Sequence, residues 1–75
     1  MDKKKVAGRL LRLRGMRSQE EVAAALGIRQ STLAMYERGA RMPKDEIKLV
    51  IARYYGCSVE DLFFNENDTI RGGER

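Results

Sequence analysis

Glycine punctuates this chain at near-regular intervals. Gly15, Gly27, Gly39 and Gly56 each fall between segments whose apolar residues recur with helical spacing. Glycine is the residue that most readily ends a helix in a left-handed turn, so this spacing predicts a set of short helices. No segment of useful length alternates apolar and polar residues, which argues against strands. With 75 residues the chain has room for one core and no second domain.

The segments can be read in turn. From about Lys3 to Arg14, Val6, Leu10 and Leu13 lie at i, i+4 and i+7, with Ala7 and Leu11 beside them. Ser18-Gln19-Glu20-Glu21 has the form of a capping box and opens a second helix, with Val22, Ala23 and Leu26 as its inner stripe. A third helix spans about Gln30 to Arg38. Leu33, Tyr36 and Glu37 share one of its faces; Gln30, Ser31, Ala34, Met35 and Arg38 share the other. A fourth covers about Lys44 to Tyr55, with Ile47, Val50, Ile51 and Tyr54 in helical register. Ser58-Val59-Glu60-Asp61 is a capped start for a fifth, followed by Leu62, Phe63 and Phe64. Residues 1–5 read as a basic extension, 6–64 as the folded domain, and 65–75 as a polar tail without periodicity, expected to be mobile.

Composition excludes several classes. There is no histidine, which removes the commonest general base and a common zinc ligand. The single cysteine, Cys57, forms no internal disulfide and no thiol cluster; it reads as a small hydrophobe or, less simply, a redox-sensitive thiol. No metal site, cofactor, phosphate-cradling loop or catalytic constellation is visible, so the chain is not read as an enzyme. Apolar runs are too short to span a membrane, and a cytoplasmic location is expected. The charge is uneven: residues 1–41 carry ten Lys or Arg against four acids, and residues 42–75 carry five against seven. A basic amino-terminal half fits either a polyanion partner or an arginine-rich solvated surface. No array of aromatics suggests RNA stacking.

Two helices joined by a short glycine-centred turn have the layout of a helix-turn-helix at about residues 18–38. The residues carry the resemblance further. Ser18-Gln19-Glu20-Glu21-Val22-Ala23, Leu26-Gly27-Ile28, Ser31-Thr32-Leu33, Tyr36-Glu37-Arg38-Gly39, Arg41-Met42-Pro43 and Tyr54 to Phe63 together resemble the Xre/Cro phage-repressor family of bacterial regulators. The resemblance covers roughly residues 6–64. It implies an all-α, five-helix, lambda-repressor-like domain that binds double-stranded DNA with its third helix in the major groove.

The same resemblance assigns roles. Gln30, Ser31 and Met35 match the family's base readers, with Arg29 at the helix start reaching a guanine or a phosphate. Glutamine can pair bidentately with adenine; methionine suits a thymine methyl. Gln19 matches a glutamine that touches phosphate while bracing the third helix. Arg41 and Lys44 match backbone contacts, and Arg17, Thr32 and Arg38 could add others; the Thr32 hydroxyl could equally bond within its own helix. Arg12 and Glu37 match an ion pair between the first and third helices, structural in role. A homodimer is implied, with Tyr55, Leu62, Phe63 and Phe64 as candidate dimer residues, although Phe63 could instead pack inside with Phe64 at the helix end. Three departures stand out. Gly15 comes one residue earlier than the family glycine, Arg29 replaces the usual serine cap, and Tyr36 stands where many members have tryptophan. The leading functional expectation is a transcriptional regulator, most simply a repressor. The alternative is a protein-interaction module of the same fold, antitoxin-like or anti-repressor, and a regulatory protein partner fits either.

Overall fold

A computed structural model describes residues 2–65; the expected tail beyond Asn65 lies outside the described residues. Five helices follow in order: α1 (Lys3–Arg14), α2 (Gln19–Leu26), α3 (Gln30–Arg38), α4 (Asp45–Tyr55) and α5 (Glu60–Phe64), the last a single wide turn of π type. Among the described residues there is no strand.

Each start has a local cause. Asp2 accepts the backbone N–H groups of Lys4 and Lys5, at 2.9 and 3.4 Å, and these bonds hold its carboxyl below the usual range. The capping serines act as expected: Ser18 Oγ accepts from the Glu21 N–H at 3.0 Å, and Ser58 Oγ from the Asp61 N–H at 3.0 Å. Lys3, Lys4 and Lys5 lie within α1 itself.

The core is built from Val6 and Leu10 of α1, Val22, Ala23 and Leu26 of α2, Leu33 and Tyr36 of α3, Ile51 and Ala52 of α4, and Leu62 and Phe63 of α5. In two helices the buried face is rotated from the sequence reading. On α1, Leu11 is 46% exposed while Arg9 is 1% exposed. The guanidinium of Arg9 reaches the far end of the chain and donates to the carbonyls of Asp61, Leu62 and Asn65, so a cation caps the last turn from inside. On α4, Val50 faces outward and Lys48 is buried. The Lys48 ammonium lies 5.7 Å from the Phe63 ring centre and 5.2 Å from that of Phe64, with Asp45 at 3.4 Å. Its aliphatic stem fills the apolar layer while the charge meets aromatic faces and a carboxylate.

Leu62 is fully buried and Phe63 is 1% exposed, so neither is a surface for a second subunit; this corrects two of the four dimer candidates. Two adjacent residues on one turn cannot both face one core, and Phe64 is the one left half exposed. Tyr55 is half-buried.

Two glycines fix the frame of α3. Gly15 has φ 58° and ψ −126°, the first central position of a type II′ turn, closed by the Arg17 N–H on the Arg14 carbonyl at 3.1 Å. This turn explains the early glycine: it throws Met16 fully into solvent and brings Arg14 and Arg17 back over the end of α1. Gly39 ends α3 at φ 75°, and a Cβ there would stand 3.3 Å from the Lys3 carbonyl oxygen. The end of α3 thus sits directly on the first turn of α1.

Gly27 provides the control, since it has the same φ and open space around it. Gly27→Ala is expected to lose about 1 kcal/mol to left-handed strain, and Gly39→Ala clearly more, because backbone must also move. Urea denaturation of the two variants checks the order.

Candidate nucleic-acid interface

The helix-turn-helix forms because α2 is capped at Gly27 and α3 begins three residues later, at Gln30. The N–H groups of Gly27 and Ile28 close on the carbonyls of Ala24 and Ala23, at 3.2 and 3.0 Å. Leu33, Tyr36 and Glu37 then face inward, as expected, and the opposite face of α3 is left to solvent. On that side Gln30, Ser31 and Arg38 are exposed, and Ala34 and Met35 are half-buried. Arg29, exposed at the head of α3, makes no side-chain cap, so the missing serine is not replaced by another capping bond. Thr32 is half-buried. Arg41 and Lys44 are exposed on the linker between α3 and α4, separated by the buried Pro43.

The expected buried ion pair is present with a different cation. Glu37 is 4% exposed, and Arg14 Nε donates to its Oε2 at 2.8 Å. The family position, Arg12, is exposed and lies two residues earlier on α1, some 200° away around the helix. The turn at Gly15 supplies the reason: it holds Arg14 at the helix end, where Nη1 also donates to the Arg17 carbonyl at 2.6 Å.

Arg17, expected on phosphate, is turned inward. Its guanidinium donates to the carbonyls of Leu13 and Arg14 and to Tyr54 Oη, at 2.8, 3.3 and 3.2 Å. It also lies 5.3 Å from the ring centres of both Tyr54 and Tyr55. The two tyrosines meet edge to face at 5.0 Å. This arrangement locks the α1–α2 turn to α4.

The other oxygen of Glu37 leads to the outward face. Gln19 Nε2 donates to Glu37 Oε1 at 2.9 Å, and Gln30 Nε2 donates to Gln19 Oε1 at 2.9 Å. One continuous chain therefore runs from Arg14 through Glu37 and Gln19 to Gln30, crossing from α1 to the back of α3, to the head of α2, and to the head of α3. Sequence reasoning paired Glu37 and braced α3 with Gln19, but it missed Arg14, Arg9, Lys48 and Tyr54. The displaced glycine was the available signal for Arg14.

Two other titratable groups lie close by. Burial, reinforced by the charge of Glu37, pushes the Tyr55 phenol from 10.0 up to about 12. Its Oη is buried and has no hydrogen-bond partner among the described residues. Cys57 is half-buried at the end of α4, and burial followed by the charge of Asp61 pushes its thiol up, the direction that disfavours the reactive thiolate. Among the described residues no group of His, Cys, Asp or Glu could hold a metal ion, and no helix is long and apolar enough to cross a membrane.

Known proteins place these features in context. Residues 9–62 match the model of the helix-turn-helix family. An uncharacterised HTH-type transcriptional regulator of Methanocaldococcus jannaschii is 33% identical over 51 residues, covering 68% of this chain and 77% of the relative. An uncharacterised HTH-type transcriptional regulator of Archaeoglobus fulgidus is 33% identical over 55 residues, covering 73% of this chain and 79% of the relative. The cryptic phage CTXphi transcriptional repressor RstR of Vibrio cholerae is 34% identical over 53 residues, covering 71% of this chain and 48% of RstR. No solved structure matches the chain significantly.

Two outcomes are expected in solution. Arg14→Met leaves a nearly buried carboxylate without its cation and should cost about 2–3 kcal/mol, whereas the exposed Arg12→Met should cost less than about 1 kcal/mol; urea denaturation separates them. For Tyr55, the folded pKa lies above the unfolded one. Its contribution to stability is therefore full below pH 10 and declines as pH rises towards 12. Tyr55→Phe should match or exceed wild-type stability at neutral pH, since it removes an unpaired buried hydroxyl, and should show a shallower alkaline decline in thermal melts.

Proposed function

The chain belongs to the helix-turn-helix family, and we propose that it regulates transcription by laying the outward face of α3 in the major groove of duplex DNA. The observation that carries this reading is the division of α3 itself. One face is buried through Leu33, Tyr36 and Glu37, while the other presents Gln30, Ser31, Met35 and Arg38 with little to bury. A helix fits the major groove, where each base pair shows a distinct set of donors and acceptors.

Gln30 pairs with adenine through one amide N–H and its carbonyl oxygen. Ser31 donates or accepts as the base requires, and Met35 offers only shape and apolar contact. Arg29 reaches a guanine or a phosphate from the head of the helix. Arg38, Arg41 and Lys44, all exposed, neutralise phosphates, and Thr32 and Gln19 add polar contacts along the same backbone. Arg17 is occupied within the fold and stabilises the α1–α2 turn.

Repression by occluding a promoter is the simplest regulatory mode, and the similarity to a protein named a transcriptional repressor supports it. The chain acts in the cytoplasm as a homodimer, which places two copies of α3 on one face of the duplex. After the burial of Leu62 and Phe63, Phe64 and the half-buried Tyr55 are the candidates left for the subunit contact.

Selection from a randomised duplex library at two salt concentrations tests this reading. The expected product is an inverted repeat with half-sites about one helical turn apart, and Gln30→Ala should change the preference at one base pair of each half-site. Arg41→Gln should weaken all sequences alike and lower the slope of log K against log salt by about 1. Sequence-blind binding indifferent to Gln30 would overturn the assignment of α3 and favour a protein-interaction module.

A further inference from the structure

We propose that Glu37, which touches no DNA, sets the base that Gln30 accepts by fixing the direction of the two amides between them. The inference rests on the reading of Gln30 as a base reader and adds a specificity-positioning residue behind it.

A carboxylate offers only acceptors. Glu37 is held from one side by Arg14 on Oε2, so Oε1 is the atom turned towards Gln19. Gln19 must present its NH2 group to that oxygen, which leaves Oε1 of Gln19 facing Gln30. Gln30 must in turn give one hydrogen of its NH2 group to Gln19. The outward edge of Gln30 is then the carbonyl oxygen together with the second amide hydrogen. Each link follows from the one before it, and the sequence of links starts at the charge.

The consequence for recognition is chemical. Adenine presents an acceptor at N7 and a donor at N6 in the major groove; guanine presents acceptors at both N7 and O6. An acceptor beside a donor matches adenine. Against guanine the carbonyl of Gln30 would meet O6, lone pair against lone pair. A reversed Gln30 would present only its NH2 group, which suits the two acceptors of guanine. Reversal puts its carbonyl against the carbonyl of Gln19, and Gln19 cannot follow, because its own carbonyl would then face Glu37. A single buried negative charge therefore excludes the guanine-reading orientation of an exposed side chain.

The test uses the full chain and the randomised duplex library, with wild type, Gln30→Ala, Glu37→Gln and Gln19→Met. The readout is the adenine-to-guanine ratio at the base pair whose preference Gln30→Ala abolishes. In wild type this ratio should be about tenfold or more. In Glu37→Gln, where position 37 can either donate or accept, it should fall to within about threefold. In Gln19→Met the Glu37–Arg14 pair stays intact but the link is cut, and the ratio should fall similarly. A general loss of affinity or stability does not move this ratio. Should Glu37→Gln fail to fold, the half-buried position 19 decides alone. A wild-type ratio retained in Gln19→Met overturns the proposal while leaving Gln30 as a base reader. A guanine preference in wild type overturns it equally. If Gln30→Ala changes no position at all, the reading of α3 fails, and this inference with it.

Discussion

A negative charge inside a domain this small has to be answered on every side, and Glu37 organises the structure through that demand. Arg14 neutralises it from α1, and Gln19 donates to it from α2. Three helices are thereby fixed around one carboxylate, which leaves the outer face of α3 little freedom to roll. Apolar contacts alone would tolerate some slippage of α3 across Leu10 and Val22. Directional bonds to a buried ion do not tolerate it, because a misplaced helix would strand the charge. The exposed end of α3 inherits this precision through Gln30.

The cations that support this frame share one habit. Arg9, Arg14, Arg17 and Lys48 all spend their charge on carbonyls, carboxylates or aromatic faces of the protein itself. Net charge therefore overstates what the domain can offer to a polyanion. The cations exposed on and beside α3 are a smaller set: Arg29, Arg38, Arg41 and Lys44.

Helix order and limits were legible in the sequence because glycine, serine and the 3.6-residue period are local signals. The inward face of α3 was legible too, since Leu33, Tyr36 and Glu37 recur together. What escaped was the identity of charged partners. Periodicity treats arginine and lysine as surface residues, so it placed Leu11 and Val50 inward where the fold buries Arg9 and Lys48. Family position named Arg12 for Glu37, but the turn at Gly15 decides which guanidinium arrives, and that depends on backbone torsions. Arg17 was assigned to phosphate for the same reason: nothing local reveals that two tyrosines on α4 lie under it. Phe63 and Phe64 carried both alternatives, and only the path of α5 separates the buried ring from the exposed one.

The bond from Arg9 to the carbonyls of α5 joins residues more than fifty positions apart in the chain. The guanidinium belongs to the first helix and its acceptors to the fifth and its end, so the contact requires the chain to fold back over nearly its whole described length. The core of this domain therefore closes around its first helix only when the fifth has docked. Until then the site of a buried cation stays open to water. Any shortening of the chain into that turn would leave α1, and with it the helix that α1 supports, without its closing contact.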